Sequence, residues 1–286
     1  MSRTPFAPLF DRLVDDAAVF PPGLAPLDVA VREHLDRRTG PYAAQLGPLL
    51  VPATSAEALS SLASADARTA DEPLAVGLVV RPGTALKPLV EALETLRDDE
   101  RVVVTAAELG WSPQWRELLA AEVPVVVEVG LGEEQERALD DIAAAVDDEH
   151  DVTAKFRTGA APTWPWPGEQ VLAGFLDAVV LHGLSFKLTG GLHHVVRGRP
   201  GNEPMHGLLN VLLATHEALH GAEARELAGE LAREDTEVLV TAISSLTAED
   251  ARRVRGSFTA FGCCGVLDPL HELEAVGLIS AKESQQ

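Results

Sequence analysis

VTAKFRT (152–158) and SFKLTGG (185–191) are the two runs on which the fold turns, because each alternates apolar with polar residues. A period of two is the signature of a β-strand, whose side chains point to opposite faces in turn. In the first run Val152, Ala154 and Phe156 share one face, and Thr153, Lys155 and Arg157 share the other. In the second, Phe186 and Leu188 oppose Ser185, Lys187 and Thr189. The stretch between them, GEQVLAGFLDAVVLHG (168–183), has the apolar spacing of a helix. Strand, helix and strand in that order make a βα unit of a parallel sheet.

Working outward, the unit repeats. Strands are expected near 47–53, 74–81, 101–107 and 123–129, with further candidates at 237–242 (EVLVTA) and 257–263. Helices fall between them, with identifiable starts: Thr54 and Glu57 form a capping box, and Ser112 caps a helix with Pro113 at its first position. Eight strands would close a barrel, so the expected fold is a single (β/α)8 TIM-type barrel over residues 1–286, with an N-terminal helical extension at about 1–40. Irregularity is expected around strand 7, where 205–245 reads as two consecutive helices and a short strand. An open doubly wound sheet is the alternative. The chain has no GxGxxG after the first strand and no GxxxxGK[ST], so the nucleotide-binding forms of that sheet lose support.

Composition narrows the partners. A net charge of −21 repels phosphate backbones and anionic lipid surfaces, so neither nucleic acid nor membrane is expected. No run approaches the roughly 20 apolar residues of a membrane helix. The N-terminus carries acids where a signal peptide has its apolar region, and the two cysteines, Cys263 and Cys264, are adjacent and offer no disulfide framework. A cytoplasmic location is expected. A homo-oligomer stays open, and the final SAKESQQ (280–286) reads as a frayed tail.

The C-terminal rim of such a barrel carries its chemistry. The longest connections, 158–168 and 190–206, follow the two lysine strands. The chain has only four lysines, and two lie inside strand-like segments, where an ammonium needs a partner or a task. Lys187, near Lys155 and Arg157, is expected to have its pKa pushed down toward a nucleophilic amine. The competing reading makes each lysine an ion-pair partner, for instance of Glu128.

Arg157 offers a fork for a carboxylate or phosphate, and Lys155 a point charge. Thr189, Gly190 and Gly191 follow Lys187, and paired glycines let backbone N–H groups approach an anion. Glu128, inward at the end of its strand, and His193 are candidate proton carriers, with His194 and Asn210 as further contacts to a ligand. No cofactor is required on this reading. A divalent metal on His193 or His194 with Glu128 is the alternative. Trp164 and Trp166 are candidates to cover a ligand. Asp15 and Asp16 read as a helix-ending loop, and Cys263 as a buried thiol at a strand end. His216 and His220 have metal-ligand spacing, but their surroundings read as an ordinary solvent-facing helix.

LFDRLVDDAAVFPPG (9–23), AKFRTG (154–159) and FKLTGGLHH (186–194) resemble runs in an uncharacterised bacterial protein family, a likeness that implies no activity. Lys187, Thr189 and Gly190 at the end of the sixth expected strand also resemble the Schiff-base strand of class I aldolase barrels of the deoxyribose-phosphate aldolase type. That resemblance implies an imine on Lys187 and a carboxylate role for Glu128. The family's second lysine stands on the seventh strand, whereas Lys155 falls on the fifth by this count. The expected function is therefore a lyase of aldolase type, or an isomerase, acting on a small anionic carbonyl metabolite. A metal-dependent hydrolase or isomerase, and a non-catalytic binder of an anionic metabolite, are the alternatives.

Overall fold

Runs such as LLVP and VVVE are apolar on both faces because a strand inside a parallel barrel touches helices outside and side chains within. In the computed structural model, which describes residues 6–162 and 164–281, eight such strands close a barrel in sequence order. They are β1 (Val14–Asp16), β2 (Leu46–Pro52), β3 (Leu74–Val79), β4 (Val102–Gly110), β5 (Val125–Glu128), β6 (Val152–Arg157), β7 (Phe186–Thr189) and β8 (Phe258–Cys263). All pairings are parallel, and β1 joins both β2 and β8. The ring is thus closed, and the open-sheet alternative falls.

Among the described residues eleven α-helices accompany these strands: α1 (Leu27–Arg37), α2 (Ala56–Ala65), α3 (Arg68–Asp71), α4 (Lys87–Leu96), α5 (Glu133–Asp147), α6 (Glu169–Leu181), α7 (Leu208–Leu219), α8 (Ala224–Leu231), α9 (Thr236–Ser245), α10 (Ala248–Ser257) and α11 (Leu267–Ala275). The apolar parity of the two lysine strands faces this shell. Phe156 stacks on Phe175 of α6 at 4.6 Å, Phe175 meets Phe186 edge-on, and Phe186 stacks on Phe258 at 5.1 Å. That aromatic row seals β6, β7 and β8 outside and obliges Lys155 and Lys187 to point inward. No helix among the described residues is long and apolar enough to cross a membrane.

Two expectations are corrected. EVLVTA is not a strand but part of α9: Asp235 caps it by accepting from the Val238 N–H, and its buried residues, Leu239 and Ile243, are four apart. That spacing is one helical turn. The N-terminal region is not purely a helical extension, since Val14–Asp16 is the first barrel strand, and the described residues before it form a short 3-10 turn, Ala7–Phe10. The strand count therefore moves by one, placing Glu128 on β5, Lys155 on β6 and Lys187 on β7. Most of the tail expected at 280–286 lies outside the described residues.

β4 runs to Gly110, past the expected end at 107. A bulge explains this: Val76 pairs with Val104 but Gly77 with Ala106, so one extra β4 residue shifts the parity. Beyond it, Glu108 turns into the barrel.

Candidate active site

Six charged side chains from five strands form one alternating chain inside the barrel. Arg157 Nε donates to Glu128 Oε1 at 3.2 Å, and Lys155 Nζ lies 3.0 Å from Glu128 Oε2 and 3.1 Å from Glu108 Oε2. The ammonium of Lys187 is held between Glu108 Oε1 and Asp15 Oδ2. The order is Asp15, Lys187, Glu108, Lys155, Glu128, Arg157, with signs alternating throughout. Register explains the convergence: Glu128, Lys155 and Lys187 stand level on β5, β6 and β7, while Arg157 and Thr189 stand one pleat nearer the C-terminal rim.

The opposite wall makes room. A Cβ on Gly47 would come 2.0 Å from Asp15 Oδ1, and one on Gly77 would meet Leu50 at 2.6 Å and Glu108 Oε1 at 3.6 Å. Asp15, Glu108, Glu128, Lys155 and Lys187 are all buried, and Arg157, whose side chain is 26% exposed, is the link that reaches solvent.

The electrostatics overturn one expectation. Burial disfavours both ammonium groups, but the adjoining carboxylates outweigh it: Asp15 and Glu108 hold the Lys187 pKa above its ordinary value, and Glu128 and Glu108 do the same for Lys155. Neither is pushed down toward a free amine. Burial likewise acts to raise Glu108, yet the charges of Lys187 and Lys155 bring it down to about 2, and Lys155 and Arg157 lower Glu128 against the same penalty. Asp15 is the exception. Burial raises it despite Lys187, and its Oδ1 is buried with no hydrogen-bond partner.

The remaining expected contacts divide. Thr189 turns its hydroxyl toward the inner face, where a Cβ on Gly262 would lie 3.5 Å from it. Gly190 has φ +73°, and a Cβ there would sit 2.7 Å from the Arg157 guanidinium, so glycine lets the arginine lie against the backbone. Gly191 passes as closely over Thr158. Among the described residues no hydrogen bond occupies the backbone N–H of Gly190 or Gly191.

Other candidates are not brought to the chain. Asn210 is wholly buried, accepting from Arg197 N–H and donating to the carbonyls of Glu230 and Arg233, and so ties the 190–206 loop to α8. His194 pairs with Glu272 of α11 at 2.7 Å. Trp164 donates to Arg157 O at 3.1 Å and packs on Phe156, which makes it part of the wall and not a cover. His193, His194 and Glu128 have separate partners, so the expected metal grouping does not form.

His193 instead joins the cysteines. Its Nε2 lies 3.5 Å from Cys264 Sγ, and its Nδ1 lies 3.6 Å from Cys263 Sγ and 3.3 Å from Asp268 Oδ2. The two thiols push its pKa up to about 11. Burial raises the Cys263 thiol. Asp16 is also structural, accepting from Ala18 N–H, His34 and Arg37.

Sequence reasoning missed Glu108 and Asp15. The bulge hid Glu108, because alternation read from Val102 breaks before reaching it. Asp15 sits in a three-residue strand with acids at two positions, which leaves no apolar alternation to find. Two clefts, of about 450 and 270 Å³, open outside the barrel, one beside His194 and Glu272 and the other beside Arg37 and Tyr42; neither is lined by the six charges.

No protein-family model and no curated protein sequence matches the chain. Among solved structures it is similar to 7,8-dihydropteroate synthase from Vibrio fischeri ES114, at 10% identity and a TM-score of 0.44, over 94% of this chain and 93% of that one. It is also similar to a mandelate oxidase solved with 3,3-difluoro-2-hydroxy-3-phenylpropionic acid, at 14% identity and a TM-score of 0.36, over 85% and 73% of the two chains. Neither activity is carried over to this chain.

Proposed function

We propose that the protein is an enzyme of lyase (aldolase-like) or isomerase type, acting on a small anionic carbonyl metabolite through the lysines of β6 and β7. The observation that carries this reading is the alternating six-charge chain in the barrel. Stability alone does not account for it, because a buried ion network is often matched or exceeded by apolar side chains of the same volume. Buried, mutually tuned charges at the face where barrels of this kind do chemistry point to function.

Arg157 is the entry. A substrate carboxylate or phosphate takes the guanidinium from Glu128 and is held by it, by the N–H groups of Gly190 and Gly191, and by Thr189. Glu128, released, accepts a proton from the Lys155 ammonium. The neutral amine then attacks the carbonyl carbon, Glu128 returns its proton to the departing hydroxyl, and loss of water leaves an iminium whose positive nitrogen draws electrons from the adjacent bond. Lys187 and Glu108 supply and take the proton that the following step needs.

The recount of strands favours Lys155 for the imine. With Val14–Asp16 as β1, Lys155 stands on the sixth strand and Lys187 on the seventh, which are the positions of the Schiff-base and second lysines in the aldolase resemblance. Lys155 also adjoins the Glu128–Arg157 link that a ligand must open.

Borohydride trapping with a panel of phosphorylated and carboxylated aldehydes and ketones tests the reading. Mass spectrometry of the digest should place a reduced adduct on Lys155; an adduct on Lys187 alone would reverse the assignment. Absence of any adduct, binding or turnover across the panel would reduce the chain of charges to a structural element.

A second reading rests on His193, which stands between Cys264 and Asp268 in the order nucleophile, base and orienting acid. It makes Cys264 the nucleophile and His193 its base. Iodoacetamide should then alkylate Cys264 much faster than a free thiol near neutral pH, and H193N should abolish the difference; equal rates would remove this reading.

A further inference from the structure

We propose that His216, His220 and Asp250 bind one divalent transition-metal ion, of the zinc kind, on the outer wall of the barrel. His216 and His220 are four residues apart at the end of α7, so their rings lie on one face, with centroids 4.2 Å apart. Asp250 reaches them from the first turn of α10. One ligand atom from each residue lies within 4.8 Å of the other two.

Each ligand is positioned by a bond made elsewhere. His220 Nδ1 is 2.8 Å from the His216 carbonyl; donation there fixes the tautomer and leaves Nε2 as a lone pair facing Asp250 Oδ1 at 3.9 Å. Asp250 Oδ2 is engaged by the Thr247 N–H and hydroxyl in the capping box of α10, which turns Oδ1 toward the histidines. His216 has a buried Nδ1 with no hydrogen-bond partner. The helices that carry these groups are packed together, and Arg253 of α10 donates to the Leu219 carbonyl at the end of α7. The three donors are therefore held close without the metal.

The chemistry selects the ion. Two imidazoles and one carboxylate suit zinc, nickel, copper or cobalt and disfavour calcium and magnesium, which take oxygen ligands. Tetrahedral zinc with nitrogen ligands places its donors about 3.3 Å apart, so rotation of a half-exposed histidine closes the set and leaves room for water. Arg253 opposes a cation here, while Glu217, 4.0 Å from His216, and the chain's net charge of −21 favour one. The ion would fasten α7 to α10, which pack against one another although α8 and α9 lie between them in the chain.

Calorimetric titration of the full chain with zinc chloride tests the proposal. One ion per chain is expected, with no calcium binding at the same concentration. Replacing an outer-shell partner of a metal ligand already costs about tenfold or more in affinity, so removing two ligands in H216Q/H220Q should cost at least that. Zinc should also raise the Tm of the wild type and leave the double variant unmoved. If the double variant does not fold, H220Q, at a half-exposed helix end, provides the same readout. Because His193 with Cys263 and Cys264 offers a competing set, H193N is the control and should keep its zinc. Zinc lost in H193N and retained in H216Q/H220Q overturns the proposal, as does a wild type that binds none.

Discussion

Inside the barrel, β4 to β7 point Glu108, Glu128, Lys155 and Lys187 at the axis, whereas β2, β3 and β8 offer Gly47, Leu50, Gly77 and Gly262. One half is long and charged; the other is nearly bare. A barrel of eight strands is just wide enough for side chains to fill it, so long lysines and glutamates fit only where the facing positions are small. The glycine half is what permits the charged half to be buried, and burial in turn gives its charges their force. The two walls are one device, and each prediction below strikes one of them.

The largest effect should come from Glu108, which alone touches both lysines. Glu108→Ala leaves two buried ammonium groups short of a counter-charge, and breaking a buried pair from one side costs about 3–5 kcal/mol. Urea unfolding should report a loss of that order, and the far-ultraviolet spectrum tells whether the barrel still closes. A loss below about 1 kcal/mol would mean that the charged wall is solvated, as exposed pairs are.

Acid should reach the same wall without mutation. Glu108 titrates at about 2 in the folded chain against an ordinary 4.5, and Glu128 is also lowered. A depressed carboxylate contributes stability above its unfolded pKa and loses it as pH falls toward the folded one. The lysines act oppositely, raised above an ordinary 10.5, and contribute below that value and lose it as pH rises beyond. Asp15, raised above 3.8, acts in the opposite sense to Glu108: it contributes below that value and loses the contribution as pH rises through its folded pKa. Urea midpoints should thus form a plateau that falls on the acid side below about 4.5 and on the alkaline side above about 10.5. In E108Q the acid limb should flatten.

The bare wall is tested by Gly47→Ala. Its new Cβ would lie 2.0 Å from Asp15 Oδ1, so Asp15 must leave Lys187 or the strand must move. Overpacking of this kind costs about 1–3 kcal/mol. The two walls are coupled only if Asp15→Ala relieves that cost, which a double-mutant cycle measures as an interaction energy; additive losses would separate them.

How much of this was legible follows from the same geometry. Lys155 and Lys187 were visible because Phe156, Leu188 and their neighbours mark the outer face so plainly that the inner one follows by parity. Glu128 was visible for the same reason. Glu108 was not, because a bulge is a matter of pairing between strands and leaves no mark in one strand's own alternation. Asp15 escaped because a three-residue strand is held by its neighbours β2 and β8, not by its own pattern. The barrel was legible from its repeats, but its ordinals were not: a missed first strand and a helix read as strand compensated in the count of eight and misplaced both strand lysines, Lys155 and Lys187, by one. The rim loops were least legible. His193 and His194 are adjacent in sequence, yet one turns to Cys264 and the other to Glu272, and only the path of the backbone decides which.

The smallest effect on folding, and the most informative on function, should come from Arg157→Gln. Its side chain is partly exposed and makes one ion pair, with Glu128, which keeps Lys155 as a second partner. Partial solvation limits such a pair to about 1 kcal/mol or less. Stability should therefore barely change, and the acid limb should remain, because Glu108 is untouched. Anion affinity should behave differently, since a charged hydrogen bond to a ligand is worth about 1.5–3 kcal/mol, or more than tenfold in binding. Titration with the compound that gives the borohydride adduct should show that loss in R157Q, with partial recovery in R157K, which restores the charge without the fork. Equal affinity in wild type and R157Q would show that ligands do not enter through this link, and the charged wall would then have no path to a substrate.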